Sequence, residues 1–207
     1  MHPNPIFRNS DSKPALDFAI SRGFGVLSIN GKYGPLMAHI PFIIADDGSK
    51  AMFHLVRSNP IARKGGGANA VLAINGPDGY ISPDWYGVEQ QVPTWNYVAV
   101  HLRGVLNMLP PEALEPHLRA LSEHFEHQLL PKPIWDLDKV SVENRDKMMR
   151  MLVAVELNIS ETDSTWKLGQ NKPDAVRVAA ADKLKTSSIG SGQSELAQLM
   201  RDANKGN

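Results

Sequence analysis

The order of β-type and helical segments constrains this chain more than any other feature of its sequence. Segments rich in β-forming residues follow one another with short turns between them, and one long helical segment comes only late in the chain. A parallel sheet needs a helix between most neighbouring strands, so this order favours an antiparallel barrel. The expected strands are Phe24–Asn30, Leu36–Ala45, Ala51–Val56, Ala70–Asn75, Tyr80–Ser82, Trp95–Leu109, Met151–Ile159 and Glu161–Thr165.

The segment Trp95–Leu109 carries the clearest alternation. Tyr97, Ala99, His101 and Arg103 alternate with aliphatic residues, which predicts one buried strand face and one face that lines something polar. The turn sequence Pro77-Asp78-Gly79 is expected to separate two of the shorter strands.

Two helices are expected around these strands. The first covers Asp11–Arg22, and the second opens at Pro110-Pro111 and runs to about Leu130. The apolar stripe of the second helix consists of Leu114, Leu118, Leu121, Phe125 and Leu129.

A change of composition divides the chain into two parts. Residues 1–172 are expected to hold the core, and residues 173–207, rich in Ala, Asp, Lys, Ser and Gly, form a helical and flexible tail that is peripheral or pairs with another subunit. Within the tail, Ala175–Lys183 and Glu195–Ala203 predict short helices, and Thr186–Gly192 predicts a flexible linker.

Charge and cysteine content narrow the functional classes. Twenty-two basic and 22 acidic side chains cancel, so no overall field draws the protein to nucleic acid or to an anionic membrane. The absence of cysteine excludes disulfides and thiolate sites. Without a signal peptide or an apolar run of roughly 20 residues, the chain is expected to be soluble and cytoplasmic.

The first candidate binding segment runs from His54 to Pro60 and is followed by Arg63 and Lys64. A strand that ends in basic and hydroxyl groups and then turns into a short helix suits an anion, which Arg57, Arg63 or Lys64 would neutralise. The alternative is a solvated turn with surface charges.

Two further segments combine aromatic and amide side chains. Pro93–Tyr97 offers a flat apolar wall and a directional hydrogen-bonding group, as pockets for planar heterocycles do. Trp166–Asn171 adds a lysine and two amides within one turn. The alternative interpretations are a packed strand end for Pro93–Tyr97 and an ordinary loop for Trp166–Asn171.

The histidines do not form a recognisable catalytic or metal motif. His117, His124 and His127 are interpreted as solvent-facing helix residues, since no HExxH arrangement accompanies them. His39 and His101 are interpreted as satisfied polar residues of the core. We therefore predict neither catalytic residues nor a metal site.

Taken in order, several blocks of this sequence resemble the PaiB family of FMN-binding negative transcriptional regulators. The resemblance extends to about Arg177, and the Ile-Ser-Pro-x-Trp-Tyr and Pro-Thr-Trp-Asn-Tyr blocks are its most specific parts. Gly169 departs from the pattern, in which serine is expected. The matching blocks are Pro5–Phe7 (shifted relative to the family's Pro-x-x-Phe), Phe24-Gly25, Gly34-Pro35, Ala38–Phe42, His54–Pro60, Gly76-Pro77, Tyr80–Tyr86, Val92–Tyr97 and Trp166–Asn171.

The resemblance implies a mainly β fold with α-helices (α+β), namely an FMN-binding split β-barrel with peripheral helices. It also implies a homodimer with FMN in clefts between the subunits. The phosphate and ribityl end would lie at His54, Val56, Arg57, Ser58 and Asn59. Thr94, Trp95 and Asn96 would approach the isoalloxazine, and Lys167, Gln170 and Asn171 would close the site.

Three functions are compatible with this resemblance. The first is an FMN-binding repressor that acts on DNA directly or through a regulatory protein, although no helix-turn-helix or basic stripe is recognisable. The alternative is an FMN-dependent oxidoreductase that uses a nicotinamide donor. The third is a flavin store or heme-handling protein, with His39, His54 or His101 as axial ligand.

Overall fold

The computed structural model describes residues 1–8 and 11–203. Over these residues the chain forms six α-helices and eight β-strands. The helices are α1 (Lys13–Arg22), α2 (Pro60–Lys64), α3 (Leu114–Glu126), α4 (Val142–Arg150), α5 (Asp174–Leu184) and α6 (Gln193–Asp202). The strands are β1 (Phe24–Gly31), β2 (Gly34–Pro41), β3 (Ile43–Ile44), β4 (Lys50–Val56), β5 (Asn69–Ile81), β6 (Thr94–Met108), β7 (Leu152–Lys167) and β8 (Gly190–Ser191).

The strands form one sheet in the order β2-β1-β5-β6-β7-β4-β3, and β8 pairs with β5 outside this path. β1 pairs antiparallel with both β2 and β5, and β4 pairs antiparallel with β3 and β7. Sequence neighbours such as β1 and β2 are joined by short turns, as the turn-rich sequence predicts. Within the described residues, none of the helices combines the length and apolar character that crossing a bilayer requires.

The described chain divides into two compact units. The first unit consists of residues 1–15, 75–100 and those from 163 onward, and the second consists of residues 16–74 and 101–162. Strands β5, β6 and β7 each contribute residues to both units. The domain boundary expected between residues 172 and 173 stays a prediction.

Each unit has its own apolar core. In the second unit, the completely buried side chains come from strands β1, β4, β5, β6 and β7 and from the segment after β2. They include Leu27, Phe42, Phe53, Leu72, Leu102 and Leu157. In the first unit, Ile81, Val98 and Val100 are buried together with Leu184, Leu196 and Met200 from the two last helices.

The prediction of a turn at Pro77-Asp78-Gly79 is wrong, because these residues lie inside the continuous strand β5. Gly79 pairs with Gly190 of β8, and the Asp78 carboxylate accepts a hydrogen bond from the Ser191 amide at 3.2 Å. Turn-forming residues stay extended here because a partner strand takes their backbone hydrogen bonds. In the same way, the two strands expected before and after Ser160 form the single strand β7.

The tail is folded over its described part, and its last four residues lie outside the described chain. The expected helices correspond to α5 and α6, and the segment expected as a flexible linker contains β8. Arg177 anchors the two helices to each other: its Nε donates to the Met200 carbonyl at 2.6 Å, and Nη1 donates to Asp174 at 2.7 Å.

Candidate functional site

The residues expected at the phosphate end lie at the end of β4 and the start of α2, within the second unit. Val56, Ser58 and Arg63 are exposed there. Asn59 is the N-cap of α2, since its Oδ1 accepts a hydrogen bond from the Ile61 amide at 2.8 Å. Because α2 has only five residues, its dipole is weak, and an anion here depends on side-chain cations.

Arg57 is the cation best placed for this purpose. Its Nε donates to the Arg150 carbonyl at 2.9 Å, and its backbone amide donates to the Met151 carbonyl at 2.8 Å. These two bonds hold the guanidinium at the protein surface. Among the described residues no carboxylate pairs with Arg57, so its terminal nitrogens are available to an anionic group.

A cavity of about 370 Å³ opens beside Arg57, within the second unit. The sequence did not indicate it, because Arg150 lies 93 residues from Arg57 and only the fold brings the two together. The lining residues come from the segment after β4, the segment between β6 and α3, helices α3 and α4, and the start of β7: Arg57, Leu109, Pro111, Leu114, Asp146, Met149, Arg150, Leu152, Val153 and Ala154.

His54 points toward helix α3 and meets His117, with His54 Nδ1 3.4 Å from His117 Nε2. The prediction that His117 faces solvent is wrong: it is 2% exposed, because it lies on the apolar face of α3 with Leu114 and Leu121. Burial, together with the nearby His54, lowers the pKa of His117 to about 4, and burial lowers the pKa of His54 as well. Both imidazoles are therefore neutral at pH 7.

The prediction that His39 is a core residue is also wrong, since its ring is exposed on β2 and stacks beside Phe24 at a centroid distance of 6.5 Å. The alternation of β2 explains this, because Ala38 and Ile40 take the buried positions. His101 is half-buried on β6.

The residues expected around the isoalloxazine all lie in the first unit, where β6 begins and β7 ends. Lys167 Nζ donates to Thr94 Oγ1 at 2.5 Å, which joins two of the predicted segments. Partial burial lowers the pKa of Lys167. No carboxylate pairs with this ammonium in the described part of the chain, and a partly buried cation of this kind favours an electron-rich ligand.

Trp95 and Asn96 lie on opposite faces of β6. The Trp95 indole is 45% exposed and meets the Tyr80 ring edge-on at a centroid distance of 6.3 Å. Asn96 is 1% exposed, and its Nδ2 donates to the Met200 sulfur at 3.4 Å. Trp95 thus offers an accessible aromatic wall, extended by Tyr80, whereas the Asn96 amide is enclosed by the chain itself.

Gln170 holds the turn between β7 and α5. Its Oε1 accepts from the Leu168 amide at 2.8 Å, and its Nε2 donates to the Trp166 carbonyl at 2.5 Å. Inside this turn Gly169 has a φ of 81°, a left-handed backbone conformation that glycine adopts without strain. Asn171, the next predicted residue, is exposed.

The structure therefore brings the predicted residues together in two groups. His54, Val56, Arg57, Ser58, Asn59 and Arg63 form one group, and Thr94, Trp95, Asn96, Lys167, Gln170 and Asn171 form the other. The first group supplies a cation for a phosphate, and the second supplies an aromatic wall and an unpaired ammonium for a planar heterocycle. This donor set is chemically suited to a flavin nucleotide. That these residues bind one stays a prediction.

Comparison with known sequences gives a family and a relative. The family model described as "Putative FMN-binding domain" matches residues 1–161. The chain is also 27% identical over 205 residues to "Protease synthase and sporulation protein PAI 2" of Bacillus subtilis, which covers 98% of this chain and 97% of that protein.

Solved structures support the same fold. The "FAD and Heme binding protein" of Mycobacterium smegmatis superposes with a TM-score of 0.60 at 17% identity, over 84% of this chain and 80% of that one. The flavocytochrome Anf3 of Azotobacter vinelandii superposes with a TM-score of 0.58 at 14% identity, over 80% and 72% of the two chains. The expected α+β split-barrel fold is confirmed.

Proposed function

We propose, on the premise that the chain belongs to the "Putative FMN-binding domain" family, that it is a homodimeric, cytoplasmic FMN-binding protein of the PaiB type that represses transcription. The observation that supports FMN binding is the environment of Arg57. Hydrogen bonds to backbone carbonyls hold this residue, and its terminal nitrogens pair with no carboxylate of the described chain. FMN presents a dianionic phosphate, which Arg binds with paired charge-assisted hydrogen bonds.

A second set of residues supports binding of the isoalloxazine ring. Trp95 offers an exposed aromatic surface, and Lys167 with Thr94 offers a hydrogen-bonded cation within the same unit. A bound flavin supplies redox chemistry, and the protein tunes it through nearby charge and hydrogen bonds. The partly buried Lys167 ammonium is the group of this chain suited to that purpose.

The absorption spectrum of the purified protein tests FMN binding. After incubation with FMN and desalting, two flavin bands at one flavin per subunit are expected. A protein that leaves the column colourless at every FMN concentration would contradict the proposal. Riboflavin in a parallel sample shows how much of the affinity comes from the phosphate.

Repression of transcription rests on the PaiB resemblance and on the name of the Bacillus subtilis relative, which concerns protease synthesis and sporulation. A gel-shift titration with promoter DNA from the source genome tests direct DNA binding. A shift that weakens steeply with salt is expected for a protein that contacts phosphates. The absence of a shift at micromolar protein would contradict direct DNA binding. Repression would then require a protein partner, which co-purification from the source cells tests.

The oxidoreductase alternative is supported by the same unpaired Lys167, because a cation beside a flavin also favours its reduction. Anaerobic mixing of the FMN-loaded protein with NADH or NADPH decides between the two. Bleaching of the flavin bands within seconds supports catalysis, and a flavin that stays oxidised contradicts it.

A further inference from the structure

The cavity beside Arg57 contains an apolar lining and a second arginine side chain, Arg150, that the proposed FMN contact does not use. We infer that it is a second binding site, for a small amphipathic carboxylate with an apolar body. The inference goes beyond the proposed function, since it concerns a different ligand and can be tested without flavin.

The inner wall of the cavity is apolar. Leu114 and Ala154 of its lining are buried, and Met149, Leu152 and Val153 are half-buried. Side chains of this kind stabilise a ligand in proportion to the apolar area that they remove from water. The volume of about 370 Å³ is near the lower end of ligand pockets, roughly 300–1,000 Å³, and suits a small molecule.

The charged residues of the lining define the other end of the ligand. The lining contains two guanidinium groups, Arg57 and Arg150, and one carboxylate, Asp146, so it carries one net positive charge. Neither arginine side chain pairs with a carboxylate among the described residues, and the backbone carbonyl of Arg150 already orients Arg57. Arginine binds carboxylates in a planar, paired geometry, so this lining favours a monoanion over a neutral or cationic ligand.

The two arginines have different proposed roles, which allows this site to be tested separately from the flavin site. Arg57 lies at the cavity and is also the proposed phosphate anchor, whereas Arg150 belongs only to the cavity. Replacing the Arg150 side chain keeps its backbone carbonyl, which holds Arg57. The Arg150 side chain is therefore the group on which the two sites can be distinguished.

Isothermal titration calorimetry of the purified protein with octanoate tests the inference, with octylamine and 1-octanol as probes of the same alkyl chain. Octanoate is expected to bind at one site per subunit, at least tenfold more tightly than either comparison probe. Arg150→Gln is expected to weaken octanoate binding about tenfold, and Asp146→Asn to strengthen it slightly. Met149→Trp, which fills the cavity, is expected to abolish binding.

Lys147→Gln is the matched control, because Lys147 lies on the same helix but pairs with Glu143 outside the cavity. Equal binding of octylamine and octanoate, or unchanged octanoate binding in Arg150→Gln, would overturn the inference. FMN retention measured on the same variants is expected to be unchanged in Arg150→Gln. An unchanged protein that binds octanoate but retains no FMN after desalting would count against the proposed function alone.

Discussion

At the scale of single residues, Arg57 is the side chain on which the proposed cofactor contact most depends. Its guanidinium is oriented by the hydrogen bond from Nε to the Arg150 carbonyl at 2.9 Å, which reduces the entropy lost when a phosphate binds. Arg57→Ala is expected to raise the dissociation constant of FMN about 10- to 100-fold and to change riboflavin binding little. Fluorescence quenching titrations of both flavins measure this.

The control for Arg57→Ala is Arg22→Ala, which removes an exposed arginine at the end of α1. It is expected to bind both flavins like the unchanged protein. Equal losses of FMN and riboflavin in Arg57→Ala would show that the arginine supports the fold or the ring and not the phosphate.

His117 makes the stability of the second unit depend on pH. Its folded-state pKa is about 4, below the ordinary 6.5 that it regains on unfolding. Between these values the unfolded chain binds more protons, so the free energy of unfolding is expected to rise from pH 4 to 6.5, by on the order of 1–3 kcal/mol, and then to level off. Urea denaturation across this pH range measures it.

His117→Gln keeps a hydrogen-bonding side chain next to His54 but does not titrate, and it is expected to flatten this rise. His124→Gln, on the same helix, serves as the control and is expected to keep it. A pH dependence that is identical in His117→Gln and the unchanged protein would show that other groups cause it.

At the scale of secondary-structure elements, α6 stabilises the first unit through Leu196. This side chain is fully buried and packs close to Gly79 of β5. Leu196→Ala removes buried methyl groups and is expected to cost about 2–5 kcal/mol of unfolding free energy, measured by urea denaturation. Gln198→Ala, an exposed position on the same helix, is the control and is expected to stay within about 0.5 kcal/mol.

Leu196→Ala distinguishes a tail that packs into the core of the first unit from one that rests on its surface. If α6 only rested on the surface, Leu196→Ala would cost no more than Gln198→Ala. Amide hydrogen exchange in residues 75–81 gives a second readout, since loosening of α6 is expected to speed exchange there.

At the scale of the whole molecule, the proposed homodimer needs an apolar surface to bury. Phe24 and Met37 are 53% and 62% exposed, and they lie on the same face of the β1–β2 pair as His39. Large exposed apolar side chains on one sheet face are typical of protein interfaces. We expect Met37→Glu to convert the dimer to a monomer in light scattering coupled to gel filtration.

Because FMN is proposed to lie between subunits, the monomeric variant is also expected to lose FMN on desalting. The control is Lys32→Glu, an exposed change in the neighbouring turn, which is expected to leave a dimer with FMN. An unchanged protein that is monomeric and still retains FMN would contradict the proposed arrangement.

Much of the local structure could be predicted from the sequence. The alternation around Val98 and Val100 placed β6, and the stripe that includes Leu114 and Leu121 placed α3, because the period of apolar residues reports the geometry of one element. The blocks around Arg57 and Trp95 also indicated the family and the flavin, through their resemblance to the sequence pattern of that family.

Only the tertiary structure decided which partner each of these elements meets. Asp78 stays extended because it pairs with Ser191, 113 residues away in the chain, and His117 is neutral because the fold buries it, next to His54. Likewise, Arg150 joins Arg57 at a cavity that no local pattern marks. The sequence by itself determined most of the elements and the family, since both are read from neighbouring residues. The pairings and the cavity depend on contacts between distant segments, which are selected only when the whole chain packs.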